Sequence, residues 1–127
     1  MSKAHTPFVS LCVELLGEAL GRVSARAMFG GWGIYRDGRM FGLIAEDTLY
    51  LKVDDKNRTA FEAEGLGPFV YDAKNKSVAM SYHEAPPDAL DDPSAMRPWA
   101  LSAYEAALRA GATKPKKSPV KSKAAKR

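Results

Sequence analysis

Phe8, Leu11, Cys12, Leu15 and Ala19 recur at spacings of three and four, with Glu14 and Glu18 elsewhere on the wheel. That period predicts an amphipathic helix of about four turns. Thr6 before Pro7 supplies an N-cap and a first helical position, and Gly21 supplies a stop. From Ser24 the period falls towards two. Ala25–Phe29, Trp32–Arg36, Arg39–Ile44 and Thr48–Val53 read as four short strands. In the last of these, Leu49, Leu51 and Val53 alternate with Tyr50 and Lys52, the pattern of a half-buried strand. Gly30-Gly31 permits a tight turn or bulge. Asp37-Gly38 predicts a type I′ hairpin, because both central residues of that turn need positive φ. Glu46-Asp47 turns the chain again, and connections this short imply an antiparallel meander.

Farther on, Asp54 or Asp55 is placed to cap a short helix over Lys56–Glu64 that ends at Gly65. Phe69–Tyr71 and Ser77–Tyr82 form a further hairpin around Lys74-Asn75-Lys76, closed by Pro86-Pro87. Asp92-Pro93 opens a last helix that runs to about Ala110 and stops at Gly111. Its expected apolar face is Trp99, Ala103, Tyr104, Ala107 and Leu108, and Pro98 predicts either a kink or the true start of the helix. The resulting fold class is α+β: a four-strand antiparallel meander plus a hairpin, with N- and C-terminal helices packed on one face of the sheet.

Charge changes the picture at the C-terminus. The chain has 127 residues, 46% of them hydrophobic, and a net charge of +4. Residues 112–127 hold Lys114, Lys116, Lys117, Lys121, Lys123, Lys126 and Arg127, and no acid. Seven of the nineteen cations thus lie in the tail, and the twelve that remain face fifteen acids, so the body is near −3. The organisation expected is a folded domain over 1–111 and a disordered, Lys-rich tail over 112–127. A body of this charge is not built to coat nucleic acid. The tail is different. Flexible cations bind phosphates nonspecifically by releasing counterions, and Ser118-Pro-Val-Lys121 has the Ser-Pro-x-Lys pattern of histone-like tails. A tail of solubilising cations alone is the other reading.

The candidate chemistry is sparse. Gly30-Gly31-Trp32-Gly33 is not followed by a helix or by Gly-Lys-Ser/Thr, so it is no phosphate loop. His5 and His83 have no paired spacing for a metal, and neighbouring His83 and Glu84 point to opposite faces of a strand. The single cysteine, Cys12, sits on the apolar face of the first helix, where an inert thiol is expected. No catalytic residue, cofactor or metal is assigned, and the expectation is a protein that is not an enzyme. Arg22, Arg26, Arg36, Arg39 and Lys52 cluster in sequence around the meander, with Trp32, Tyr35 and Tyr50 available to stack on bases. The alternative is that these cations are solvated strand ends and the aromatics core. No basic region leads into an apolar run at the N-terminus, and no apolar stretch approaches membrane-span length, so the expectation is a cytoplasmic protein without membrane contact.

The run Arg26–Gly38, then Phe41-Gly-Leu-Ile44 with Leu49–Asp54, Pro68-Phe69, Met80-Ser-Tyr82 and Asp92-Pro93 ahead of Trp99 resembles the N-terminal domain of the TfoX/Sxy family of bacterial competence regulators. The resemblance covers roughly Phe8–Gly111. It implies a transcription-associated regulator. Full-length family members act as coactivators with the cyclic-AMP receptor protein at competence promoters, and they carry a second, helical domain. This chain is similar to a stand-alone version of the N-terminal domain. It departs from the family at Tyr82-His83-Glu84, where two tyrosines are expected. The resemblance implies no catalytic residues. The function expected is regulation through a protein partner, such as transcription machinery, with nonspecific DNA affinity from the tail. The alternative is a protein- or small-ligand-binding module with no nucleic-acid role, which predicts a concave apolar pocket between sheet and helices.

Overall fold

The computed structural model describes residues 6–28, 30–73 and 76–113. Helix α1 spans Pro7–Leu20. The Thr6 hydroxyl accepts from the Val9 N–H at 3.2 Å, and Gly21 ends the helix at φ 86°. Strands β1 (Val23–Met28), β2 (Gly31–Arg36), β3 (Arg39–Ala45) and β4 (Thr48–Lys52) follow as an antiparallel meander. After the short helix α2 (Arg58–Ala63) come β5 (Pro68–Ala73) and β6 (Lys76–Glu84). A 3-10 turn (Pro87–Asp91) then leads to α3 (Pro93–Thr113). The strands form one sheet in the order β1-β2-β3-β4-β6-β5, so β6 pairs with both β4 and β5, and β1 and β5 are the edges. The α+β class and the antiparallel sheet match the reading of the sequence.

The turns are where local chemistry decides the path. Asp37 and Gly38 have φ 51° and 80°, as the predicted hairpin turn needs. Glu46 and Asp47 make the next turn at φ 51° and 58°. The turn at Lys74-Asn75 and strand-end residue Phe29 lie outside the described residues.

The helices cover one face of the sheet. There α1 buries Val9, Cys12, Leu15, Leu16 and Ala19, and α3 buries Met96, Ala100, Ala103, Tyr104 and Ala107. They meet Trp32, Ile34, Phe41, Ile44, Leu49, Leu51 and Val53 from the sheet. Two residues expected in the core are instead exposed. Leu11 is turned outwards on α1, and Leu108 outwards on α3. Each helix is apolar over more than one stripe, so spacing alone did not say which stripe faced the sheet. The last helix also corrects two expectations. It starts at Pro93, where Asp92 Oδ1 accepts from the Ser94 N–H, and it passes through Pro98 without stopping. It also continues through Gly111 to Thr113. Gly111 thus does not end the helix; it lies against the guanidinium of the exposed Arg39.

A bulge in β3 sets what each face displays. Ile34 pairs with Gly42 but Tyr35 pairs with Met40, which leaves Phe41 as the extra residue. Phe41 turns into the helical layer, edge-on to Tyr104 at 5.7 Å. The shift also puts Met40 and Leu43, three apart in sequence, on the same, helix-free face.

Outside the sheet, Asp54 ties the end of β4 to α3. Its carboxylate accepts from Arg109 Nε at 2.6 Å and Nη2 at 2.9 Å. The Arg109 guanidinium holds the Asp54 pKa down at about 2, against the opposing effect of desolvation. A carboxylate depressed on folding contributes stability above its ordinary pKa of 3.8 and loses it as pH falls through about 2. Urea unfolding of the protein and of Asp54→Asn is therefore expected to show a gap at pH 7 that closes between pH 4 and pH 2. A gap that does not change with pH would assign the loss to the backbone contacts of Asp54 instead.

Candidate binding face and the fate of the expected site residues

The helix-free face of the sheet carries a distinctly apolar hollow, a cleft of about 250 Å3. Its wall includes Met28 on β1, Gly31 on β2, Met40, Leu43 and Ala45 on β3, Met80 on β6 and Phe69 on β5. No lining side chain is charged. Met28 and Phe69 come from the two edge strands of a six-stranded sheet. In a flat sheet those edges would stand about 24 Å apart, at about 4.8 Å per strand. Both reach one small cleft, so the sheet curls towards its helix-free side. The ligand-binding alternative expected an apolar pocket between sheet and helices; this apolar cleft lies instead on the opposite, helix-free face, while α1 and α3 pack their buried side chains against the other side.

Glycines open this surface. A Cβ on Gly33 would lie 2.7 Å from Met28 Sδ, 3.0 Å from Tyr35 Cε1 and 3.2 Å from Met40 Sδ. A Cβ on Gly31 would collide with the Ile44 carbonyl oxygen. Gly30 adopts φ 79°. The Gly-Gly-Trp-Gly run is thus a packing and turn device. Its first glycine sets the turn, its second admits the neighbouring backbone and its third makes room for two methionines. Methionine walls are soft and adapt to varied apolar surfaces.

Cations and tyrosines flank the cleft. The Arg26 guanidinium lies over the Tyr35 ring at 4.9 Å, and the Lys52 ammonium over the Tyr82 ring at 5.1 Å. Tyr50 stacks at a tilt against Phe69, centroids 5.0 Å apart. Burial, with a smaller contribution from Tyr35, pushes the Tyr82 hydroxyl up to about 12, so it stays neutral. Burial also lowers the Lys52 pKa, while Asp54 works against that shift. The Lys52 Nζ donates to Ser81 Oγ at 2.8 Å.

The five body cations do not lie on one strip. Arg26 and Lys52 are on the helix-free face. Arg36 points to the other side, where its Nε donates to the Leu20 and Gly21 carbonyls at 3.3 and 3.0 Å and its guanidinium covers Tyr104. Arg36 caps the end of α1, as does Arg97 through the Ala19 carbonyl. Arg22 and Arg36 both reach Asp37, at 3.6 and 3.5 Å. Arg39 lies against Gly111. Of the three aromatics, Trp32 belongs to the core, while Tyr35 and Tyr50 stand half-buried on the helix-free face. The seven tail cations, Lys114 to Arg127, lie outside the described residues.

The other reactive groups have structural partners. His83 is buried, its Nδ1 2.8 Å from the Leu66 carbonyl and its ring beside Phe61. Glu84 pairs in register with Tyr50 and so faces away from His83. Among the described residues no three His, Cys, Asp or Glu side chains come together as a metal site. No helix among them is long and apolar enough to cross a membrane. Cys12 is fully buried, and desolvation pushes its thiol up to about 12. Native protein at pH 8 is expected to resist iodoacetamide, and urea-unfolded protein to react completely. Equal rates in the two states would show that Cys12 is reached by solvent.

Comparison with known proteins agrees with the architecture. Residues 14–107 match the family model described as the TfoX N-terminal domain. A relative is the DNA transformation protein TfoX1 of Aliivibrio fischeri (strain ATCC 700601 / ES114), 31% identical over 67 residues. That match takes in 53% of this chain and 32% of the relative, so the chain spans about a third of the relative's length.

Proposed function

Because the chain belongs to the TfoX N-terminal domain family, we propose that it is a non-catalytic, transcription-associated regulator that works by binding. It makes protein contacts through its folded body and gains nonspecific DNA affinity from its Lys-rich tail. The observation that carries the binding reading is the helix-free sheet face. Its hollow is apolar and uncharged, a surface for recognition, whereas His83 and Cys12 are committed to the interior. The relative's name, a DNA transformation protein, supports a role in competence.

Two features support dividing the work between body and tail. The body is near −3 and the tail +7, and Arg22, Arg36, Arg58, Arg97 and Arg109 of the body are drawn into capping and ion pairs. A phosphate tether of this kind attracts DNA without reading its sequence. The apolar cleft favours a second reading, a module governed by a small ligand.

Fluorescence anisotropy of a labelled DNA duplex across a salt series tests the proposal. The full-length chain is compared with a variant whose seven tail cations are glutamine. Steep salt-dependent binding that vanishes in the variant is the expected result. Equal binding by both would move the nucleic-acid surface to the body, with Arg26, Arg39 and Lys52 the residues to replace. Binding by neither at low salt would remove DNA from the function.

A further inference from the structure

The cleft has a polar side that specifies more than a hydrophobic contact. Arg26 on β1 pairs in register with Gly33, and Met28, Met40 and Tyr35 all crowd the space where a Gly33 side chain would be. The Arg26 guanidinium is therefore held by the Tyr35 ring beside the methionines that form the cleft wall. It is exposed, and it enters none of the ion pairs found among the described residues. The acids of this side, Glu46 and Glu84, act instead on Tyr50 on β4. The face thus offers an uncharged apolar hollow with an unneutralised cation at its β1 side, and at its β4 side two acids together with Lys52, whose ammonium is engaged by Ser81 and the Tyr82 ring.

We infer that the cleft between Met28, Met40, Met80 and Phe69 binds a small amphiphilic monocarboxylate, its apolar body in the hollow and its carboxylate on Arg26. This rests on the reading of the domain as a binding module. Size and charge set the ligand class. An engineered apolar cavity of about 150 Å3 takes benzene, so about 250 Å3 suits an aryl or alkyl body of roughly ten non-hydrogen atoms. A charged group inside the hollow would lose its hydration with no partner to replace it. At the rim, a guanidinium–carboxylate pair forms charge-assisted hydrogen bonds while still touching water. On the β4 side Lys52 is already held by Ser81, the Tyr82 ring and the charge of Asp54, and Glu46 and Glu84 repel the same carboxylate, which turns the ligand's charged end towards Arg26.

Titration calorimetry with octanoate, and with octan-1-ol as its uncharged counterpart, tests this on the full-length chain. Octanoate is expected to bind saturably at one site. Arg26→Gln should weaken octanoate about tenfold and leave octan-1-ol unchanged. Ala45→Phe, which fills the hollow, should abolish binding of both. Should that variant fail to fold, Met80→Glu at the exposed rim serves in its place, and it should weaken octanoate more than octan-1-ol. Absence of saturable octanoate binding overturns the inference, as does binding untouched by both cleft variants. An equal loss of both ligands in Arg26→Gln overturns the assignment of the carboxylate to Arg26. The DNA titration does not involve the cleft, so a failure here is distinguishable from a failure of the regulatory reading.

Discussion

Truncating Phe41 to alanine is expected to cost about 3–5 kcal/mol of folding stability, the range for removing a fully buried aromatic ring. Phe41 is wholly buried and stands edge-on to Tyr104 of α3, so the loss leaves a cavity where sheet and helix meet. It is also the extra residue of the β3 bulge. The bulge exists because this side chain has a place in the helical layer, and an alanine there removes the reason for the register shift. The effect should therefore reach the other face, where Met40 and Leu43 share the cleft wall only because of that shift. A domain of this size typically has about 5–15 kcal/mol in total, so the variant should be close to unfolding. Urea titration followed by circular dichroism measures the loss, with Leu108→Ala on the exposed side of α3 as the control, expected within about 0.5 kcal/mol of the parent. A Phe41→Ala protein as stable as that control would mean that the core is not organised around this ring.

Replacing Gly31 with valine should be comparably damaging, on the order of 3 kcal/mol or more. A Cβ at Gly31 runs into the Ile44 carbonyl oxygen, and that oxygen belongs to the paired backbone of β3, which cannot move aside as a side chain would. The next glycine back gives the contrast. A Cβ on Gly30 would meet no atom within 4 Å, and the position needs only its positive φ, so Gly30→Asn should be tolerated with a loss of about 1 kcal/mol. The two midpoints in urea decide the matter. Equal tolerance at both positions would mean that β2 and β3 stand farther apart at this end of the sheet.

The sequence was most informative where local chemistry constrains the backbone. Asp37-Gly38 identified its hairpin because the turn demands positive φ and few residues supply it. Thr6-Pro7 and Asp92-Pro93 fixed two helix starts by the same kind of local constraint. The helical faces were harder. Phe8, Leu11, Val13 and Leu16 surround α1 with apolar side chains, and the choice of Val9 and Leu16 over Leu11 is made by the sheet, which lies far away in sequence. In α3, Pro98 argued for a kink or a start, and the start is at Pro93 instead, with Met96 and Ala100 on either side of Pro98 buried against the core. Tertiary packing there outweighs the local cost of a proline.

The candidate site was the least legible part. Its residues come from both edges of the sheet, and their convergence depends on the curl of six strands and on one bulge. Met28, Met40 and Met80 carry no pattern that links them along the chain. A signal was present in Gly31 and Gly33, since glycines within a strand mark close approach or an opened surface. The charge of Arg26 was visible, but its separation from Arg36 was not. That division follows from alternation along paired strands, which sends Arg26 to the cleft and Arg36 to the end of α1.

The most direct test of the central claim, that the curled, methionine-lined face is the working surface, is an octanoate titration of protein carrying 13C-labelled methionine methyl groups. Met28, Met40 and Met80 should shift together along one isotherm, while Met96, buried where α3 packs on the opposite face of the sheet, should stay in place. Shifts that include Met96, or none from the three cleft methionines up to millimolar octanoate, would contradict it.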